Sequence, residues 1–319
     1  CAFLLLESRR STLAAGALAV LAGSLLSLGI EIGQVYVSPR VPSLMDLALN
    51  TAGTLAGALA GAGWRSLGGF VYVPQSVQHS GPAALAVVVT WIAARLPPFA
   101  FEIDLGKLKA ALAPLARPEL SVFATLRYLV SWLVVTQALF ALIGRERGLD
   151  ALLALIAAAL VGRLVIATQA LVPAELLALV LLLPGLVVLN GMRQTPRTLL
   201  LFAAVTAILC GIELAPLELS AHAATFDFWP FLGWIDAGYP FDAAWLLDRL
   251  FLYAALFWLL RELGPGTLAS GIALTGVVLA IEIVQIWRVA GTPAITQPAI
   301  AVLLAAMVHA FDRPRRRFR

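Results

Sequence analysis

Long apolar runs alternate with short polar breaks along this chain. Ten apolar segments stand out, at about residues 11–36, 43–62, 82–97, 120–143, 149–170, 174–192, 198–216, 246–261, 267–287 and 294–311. A helix crosses a bilayer with roughly 20 apolar residues, and the shorter segments need helix-end residues or the interface to complete a span. The pattern predicts an all-α, polytopic transmembrane helical bundle of about ten spans. A transmembrane barrel would show short segments of alternating polarity instead.

Polar positions inside these runs mark the candidate chemistry. Glu31 and Gln34 are three apart and share one helix face. Asp46, Asn50, Gly53 and Gly57 follow at spacings of four, three and four, which is one stripe of the next helix. A Pro-rich turn, Ser38-Pro39-Arg40-Val41-Pro42, joins the two. Ionisable and amide groups are costly in hydrocarbon, so such a cluster faces a protein interior or a wet cavity. Glu31, Gln34, Arg40, Asp46 and Asn50 are therefore the candidate ligand-binding residues. The plainer alternative is a packed polar pair at Glu31 and Gln34 that sets helix register. Gly53, Gly57 and Gly61 form a G-x-x-x-G ladder, whose ordinary meaning is close helix packing.

Composition fixes the class. Apolar residues make up 61% and charged residues 13% of the chain, and mean hydropathy is +0.94. Soluble domains average roughly 45–50% apolar and about 25% charged. The two cysteines give no disulfide framework, and Cys210 reads as a small core residue. A net charge of +4 raises nucleic acid as a partner, but the basic residues lie in loops between apolar helices, which excludes it. One set of loops holds Arg9, Arg10, Arg65, Arg145, Arg147, Arg193, Arg197, Arg261 and the tail Arg313–Arg319. This set and the C-terminus are expected in the cytoplasm. The opposite loops are acidic, with fewer basic residues (Arg40, Lys107, Lys109, Arg117 and Arg288). Glu31, Gln34, Arg40 and Asp46 then fall toward the extracytoplasmic side.

Segments 3–34, 140–169 and 257–285 echo one another. Each has an apolar helix end, a short charged turn and a helix ending in Gln. The first and third share Ile-Glu-Ile-x-Gln, at Ile30–Gln34 and Ile281–Gln285. Pro97-Pro98-Phe99 and Trp229-Pro230-Phe231 precede the second and third copies. Four crossings per unit make these parallel repeats, not inverted ones. The expected division is 1–96, a first repeat incomplete at its N-terminus; 97–216, a degenerate middle repeat; and 217–319, a later repeat with a basic cytoplasmic tail. On this alignment Cys1 lies at the inner end of a helix, so further sequence is expected before it. A lipoprotein acyl site at Cys1 is disfavoured, because it abuts Glu7–Arg10 on the inner face.

Residues 27–57 resemble the VanZ-like family of bacterial integral membrane proteins. They match its Glu-x-x-Gln, Arg, Asp-x-x-x-Asn-x-x-Gly-x-x-x-Gly pattern at Glu31, Gln34, Arg40, Asp46, Asn50, Gly53 and Gly57. A weaker resemblance covers 226–311, through Asp248, Glu282 and Gln285, which are the second-copy candidates. There Thr292-Pro293 and Gln297 stand where Arg40, Pro42 and Asp46 stood, and Ala301 replaces Asn50. The middle copy keeps Gln169 but has Ile166 and Leu177 at the Glu and Asp positions. The resemblance implies a multi-pass protein of the bacterial inner membrane, tied to the cell envelope, and implies no reaction.

Arg163 lies, on the predicted spans, about two turns below a helix end, roughly 10 Å at 1.5 Å per residue. It is expected to pair with a carboxylate, Glu31, Glu213 or Glu282. No metal-ligand spacing, nucleophile triad, P-loop or dinucleotide fingerprint is present, so no cofactor and no metal is expected. The segment 101–117 predicts a short helix on the membrane surface, with Ile103, Leu105, Leu108, Leu112 and Leu115 on its apolar face. Aromatics in 217–245 fit headgroup anchoring.

Three functions follow. The first is a non-catalytic protein binding an extracytoplasmic lipid-linked or envelope-related polar ligand. The second is a structural or accessory subunit of a larger membrane complex. The third is a transporter or enzyme using Glu31 or Asp46 as a proton-carrying group; no nucleophile or metal set accompanies them. Expected partners are membrane lipids and, on the second reading, other membrane subunits.

Overall fold

The computed structural model describes residues 16–28, 48–59 and 81–312, less 18, 19, 22, 26, 49, 56, 99, 221, 231–241, 290 and 291. Two compact units, 1–72 and 73–319, divide the chain. In the first, the described parts of 16–28 and 48–59 are helical. A Cβ added at Gly23 would come within 2.7 Å of Thr54 Oγ1, so the glycine permits close approach of the two segments. A Cβ added at Gly53 or Gly57 meets nothing within 4 Å. Among the described residues close approach uses Gly23, while Gly53 and Gly57 are exposed and Gly61 lies outside the described residues.

The second unit is helical, with three isolated β-bridges and no longer strand among its described residues. Its helices are α1 (Gly81–Ala93), α2 (Leu105–Leu112), α3 (Val122–Ile143), α4 (Arg145–Val165), α5 (Pro173–Gly191), α6 (Gln194–Leu214), α7 (Ala243–Glu262), α8 (Thr267–Gln285) and α9 (Thr296–Asp312). Six of them, α3 to α8, are long and apolar enough to cross a membrane, and α1 and α9 are shorter apolar helices. The chain is therefore an all-helical, multi-pass membrane protein.

Local chemistry sets the ends. Ser121 and Asp242 cap α3 and α7, their side chains accepting from Ala124 N at 3.3 Å and Trp245 N at 3.0 Å. Such caps satisfy N–H groups that the first turn leaves free. Pro173 opens α5, where its missing N–H costs nothing. Gly144 alone separates α3 from α4, at φ 81°, a left-handed conformation that favours glycine. The hairpin closes tightly: a Cβ on Gly148 would lie 2.6 Å from the Phe140 ring.

α3 and α7 form the centre. Residues 251–259 of α7 and 132–139 of α3 are buried without a break, and a helix that is apolar all round belongs inside a bundle. Of the best span window, 56% is buried in α7 but 11% in α4, which leaves α4 on the periphery. α7 packs against α1, α6, α8 and α9, and α3 against α1, α4, α5 and α6. Cys210 packs half-buried against this core.

Residues 101–117 contain α2 and a 3-10 turn, Ala113–Leu115. Ile103, Leu105, Leu108, Leu112 and Leu115 are all exposed, while Lys107 and Ala111 are buried. Asp104 caps α2 by accepting from Lys107 N at 2.7 Å. That backbone hydrogen bond holds its carboxyl below the usual range.

Candidate functional site

Glu31, Gln34, Arg40 and Asp46 lie outside the described residues. Asn50 is described. Its Nδ2 donates to the buried Ser27 Oγ at 3.0 Å, tying the two helical segments of the motif together. Asn50 itself is exposed, as are Gly53 and Gly57 one and two turns on.

Two buried polar nodes occupy the second unit. The first gathers around Glu175, in the opening turn of α5. Arg95, just beyond α1, contacts Glu175 Oε1 through Nη1. Arg163 donates to Oε2 through Nη2 at 2.8 Å and Nε at 3.1 Å. Both bonds converge on the one oxygen, while Arg95 takes the other, so the two guanidiniums divide the carboxylate between them. Arg163 Nη2 also reaches the Tyr128 hydroxyl at 3.3 Å. Arg95 lies over the Trp91 ring, 4.3 Å from its centroid, which disperses charge that one carboxylate cannot balance. Gln169 donates to the carbonyls of Arg95 and Pro97 at 2.9 and 2.6 Å and accepts Lys107 Nζ at its own carbonyl.

This geometry corrects the expectations for the middle segment. Arg163 pairs with Glu175, not with Glu213 or Glu282, and Glu31 lies outside the described residues. It also sits in the last turn of its helix instead of two turns deep. The helix stops at Val165 because the chain turns away there: Ile166 bridges to Phe101, and Thr168 takes a positive φ of 62°. Gln169 is consequently a loop residue, not a helix end. Glu175, twelve residues after Arg163 and across that loop, becomes the nearest carboxylate.

The other node gathers around Glu213, near the end of α6. Arg249 of α7 contacts Glu213 Oε1 through Nε. Gln285 and Gln297 donate to Oε2 at 3.2 and 3.1 Å. Glu282 is buried, and its Oε2 accepts Ala294 N at 2.8 Å, holding the turn into α9. Tyr253 donates to Gln297 Oε1. Arg288 is buried too, donating to the carbonyls of Glu213, Ala215 and Pro216 at 2.5, 3.1 and 3.2 Å. The sequence-picked Glu213, Glu282, Gln285 and Gln297 thus meet. Asp248 joins them through Arg249, at 3.0 Å, and also accepts Arg127 of α3 at 2.6 Å.

Arg95, Glu175, Arg249 and Arg288 escaped the sequence reading. A signal existed for three of them. Glu175 follows Pro173 in an apolar run, and Arg249 sits beside Asp248 inside another; charges there require partners. Arg95 closes an apolar segment in the same way. Arg288 carries no such mark, because it reads as an ordinary loop residue.

In both nodes each carboxylate meets a guanidinium, an amide or a backbone N–H, and the nodes join helix ends. Among the described residues no group of three His, Cys, Asp or Glu could hold a metal ion. Residues 1–64, which contain the whole Glu31–Asn50 motif, match the family model described as VanZ/LLP1. No curated protein and no solved structure matches the chain. The first 64 residues of this multi-pass membrane protein are thus similar to the VanZ/LLP1 family.

Proposed function

We propose that the chain is a non-catalytic protein of the bacterial inner membrane that binds a polar, envelope-related ligand at Glu31, Gln34, Arg40, Asp46 and Asn50. One observation carries this reading. The Asn50 amide is steadied by Ser27, no described residue donates to its Oδ1, and the Asn50–Gly53–Gly57 face is uncovered. The carboxylates of the two nodes, by contrast, are paired within the protein. Arg40 would supply charge to a phosphate or carboxylate on an extracytoplasmic lipid-linked group, and Asp46 and Asn50 would bond its hydroxyls or amides. On this reading the ancestral four-helix unit occurs three times, over 1–96, 97–216 and 217–319, in about ten spans with a cytoplasmic C-terminus. The first copy keeps the binding set, and the later copies serve as scaffold.

The test is the pair Arg40→Ala and Asp46→Ala, purified in mild detergent with bound lipids identified by native mass spectrometry. Loss of a specifically retained polar lipid in both variants is expected. Retention of the same lipid in both would end the ligand reading.

The uncovered Gly53/Gly57 stripe favours a second reading, an accessory subunit, because small residues let a partner helix approach closely. Gly53→Leu with Gly57→Leu would then release a co-purifying membrane protein. A chain that purifies alone as a monomer opposes that reading.

A further inference from the structure

At the end of the helices opposite the two nodes, the end of α3 and the start of α4, the end of α5 and the start of α6, and the end of α7 line a half-open cavity of about 400 Å³. Its lining offers several donors. Arg145 and Arg197 both line it, and neither enters an ion pair among the described residues. Trp258 lines it as well; only 3% of this residue is exposed, and its indole N–H has no acceptor. A buried N–H left without a partner is costly, which singles out this position. Trp91 and Trp132 share that lack, but they pack against Arg95.

The backbone adds to the same sign. α4 and α6 both begin at the cavity, and neither has a side chain capping its first turn. Free N–H groups at a helix start carry partial positive charge. One acid, Glu262, stands on the wall, and it accepts Gln194 Nε2 at 3.1 Å. Gln137 is buried and held only by a long 3.4 Å bond to Asn190, so its amide is available to re-aim.

We propose that this cavity binds a phosphomonoester or inorganic phosphate group. A phosphate has three terminal oxygens, enough for two guanidinium forks and a separate indole N–H; a carboxylate has two. The volume lies near the low end of the roughly 300–1,000 Å³ of small-molecule pockets. It accommodates a headgroup or a free anion and not a whole lipid. The site lies at helix ends, where a lipid phosphate and a dissolved one are both within reach.

The experiment uses the full chain in phosphatidylcholine nanodiscs. Inorganic phosphate is titrated by calorimetry, and phosphatidic acid is offered at low mole fraction and read by native mass spectrometry. Saturable binding of one or both is expected; phosphatidic acid alone identifies a lipid headgroup, and phosphate a free anion. The double variant Arg145→Ala/Arg197→Ala should weaken binding about tenfold or more, and Trp258→Phe, which keeps the ring and loses the N–H, about threefold. The control Arg147→Ala/Arg193→Ala removes the same charge from neighbouring positions and should leave binding unchanged. The proposal is overturned by any of three results: neither probe binds, Arg145→Ala/Arg197→Ala binds as the parent does, or the control pair weakens binding equally.

Discussion

The Glu175 and Glu213 nodes occupy matching positions with opposite charge assignments. Both lie where the ends of two helices meet the start of another. Around Glu175 the cations come from helix ends, Arg95 beyond α1 and Arg163 in α4, and the anion from the first turn of α5. Around Glu213 the central carboxylate comes from the end of α6 and its guanidinium, Arg249, from the second turn of α7, with Asp248 beside it and Arg288 beyond the end of α8. The comparison teaches that this architecture demands neutralisation where helix ends converge and is indifferent to which helix brings which sign. It also separates two ways of achieving it. The first node sets two guanidiniums on one carboxylate and spreads the excess over Trp91 and Tyr128. The second spreads one carboxylate over a guanidinium and two amides.

That difference predicts unequal fragility. Glu175→Ala strands two buried cations at once. It should destabilise the protein by about 5 kcal/mol, at the upper end for breaking a buried pair. Denaturant titration in detergent reads this directly, and a loss under 2 kcal/mol (about one satisfied hydrogen bond) would show that the node is not an obligate pair. Glu213→Ala should cost less, about 3 kcal/mol, because Arg249 retains Asp248 at 3.0 Å. If Glu213→Ala proves the costlier change, the ranking of the two nodes is reversed. The smallest effect belongs to the Arg127–Asp248 pair, which joins α3 to α7. Their side chains are 38% and 25% exposed, so water competes for both. A double-mutant cycle with Arg127→Ala and Asp248→Ala should give a coupling of about 0.5–1 kcal/mol.

Much of this was legible along the chain. The apolar segments at 120–143, 174–192 and 198–216 correspond closely to α3, α5 and α6. The segment 149–170 runs past its helix, because the loop through Ile166 and Thr168 is held by residues 100 and 101, far away in sequence. Hydropathy registers no difference between a last helical turn and an apolar loop clamped beside it. Glu213, Glu282 and Gln285 were recognisable as a set, since they are polar in apolar surroundings. Their partner Arg288 was not, because loop arginines are ordinary in a membrane protein and nothing local reveals that this one turns inward.

The amino-acid sequence alone determines that this chain is helical and membrane-embedded, and that charges inside its apolar runs, such as Arg163 and Glu282, need partners. These are consequences of local periodicity, backbone preference and the cost of ions in hydrocarbon, and a short window contains them. Only the tertiary structure decided who the partners are. Arg95 meets Glu175 across 80 positions and Gln285 meets Glu213 across 72. Electrostatics requires some opposite charge, and helix packing alone selects which one comes within reach.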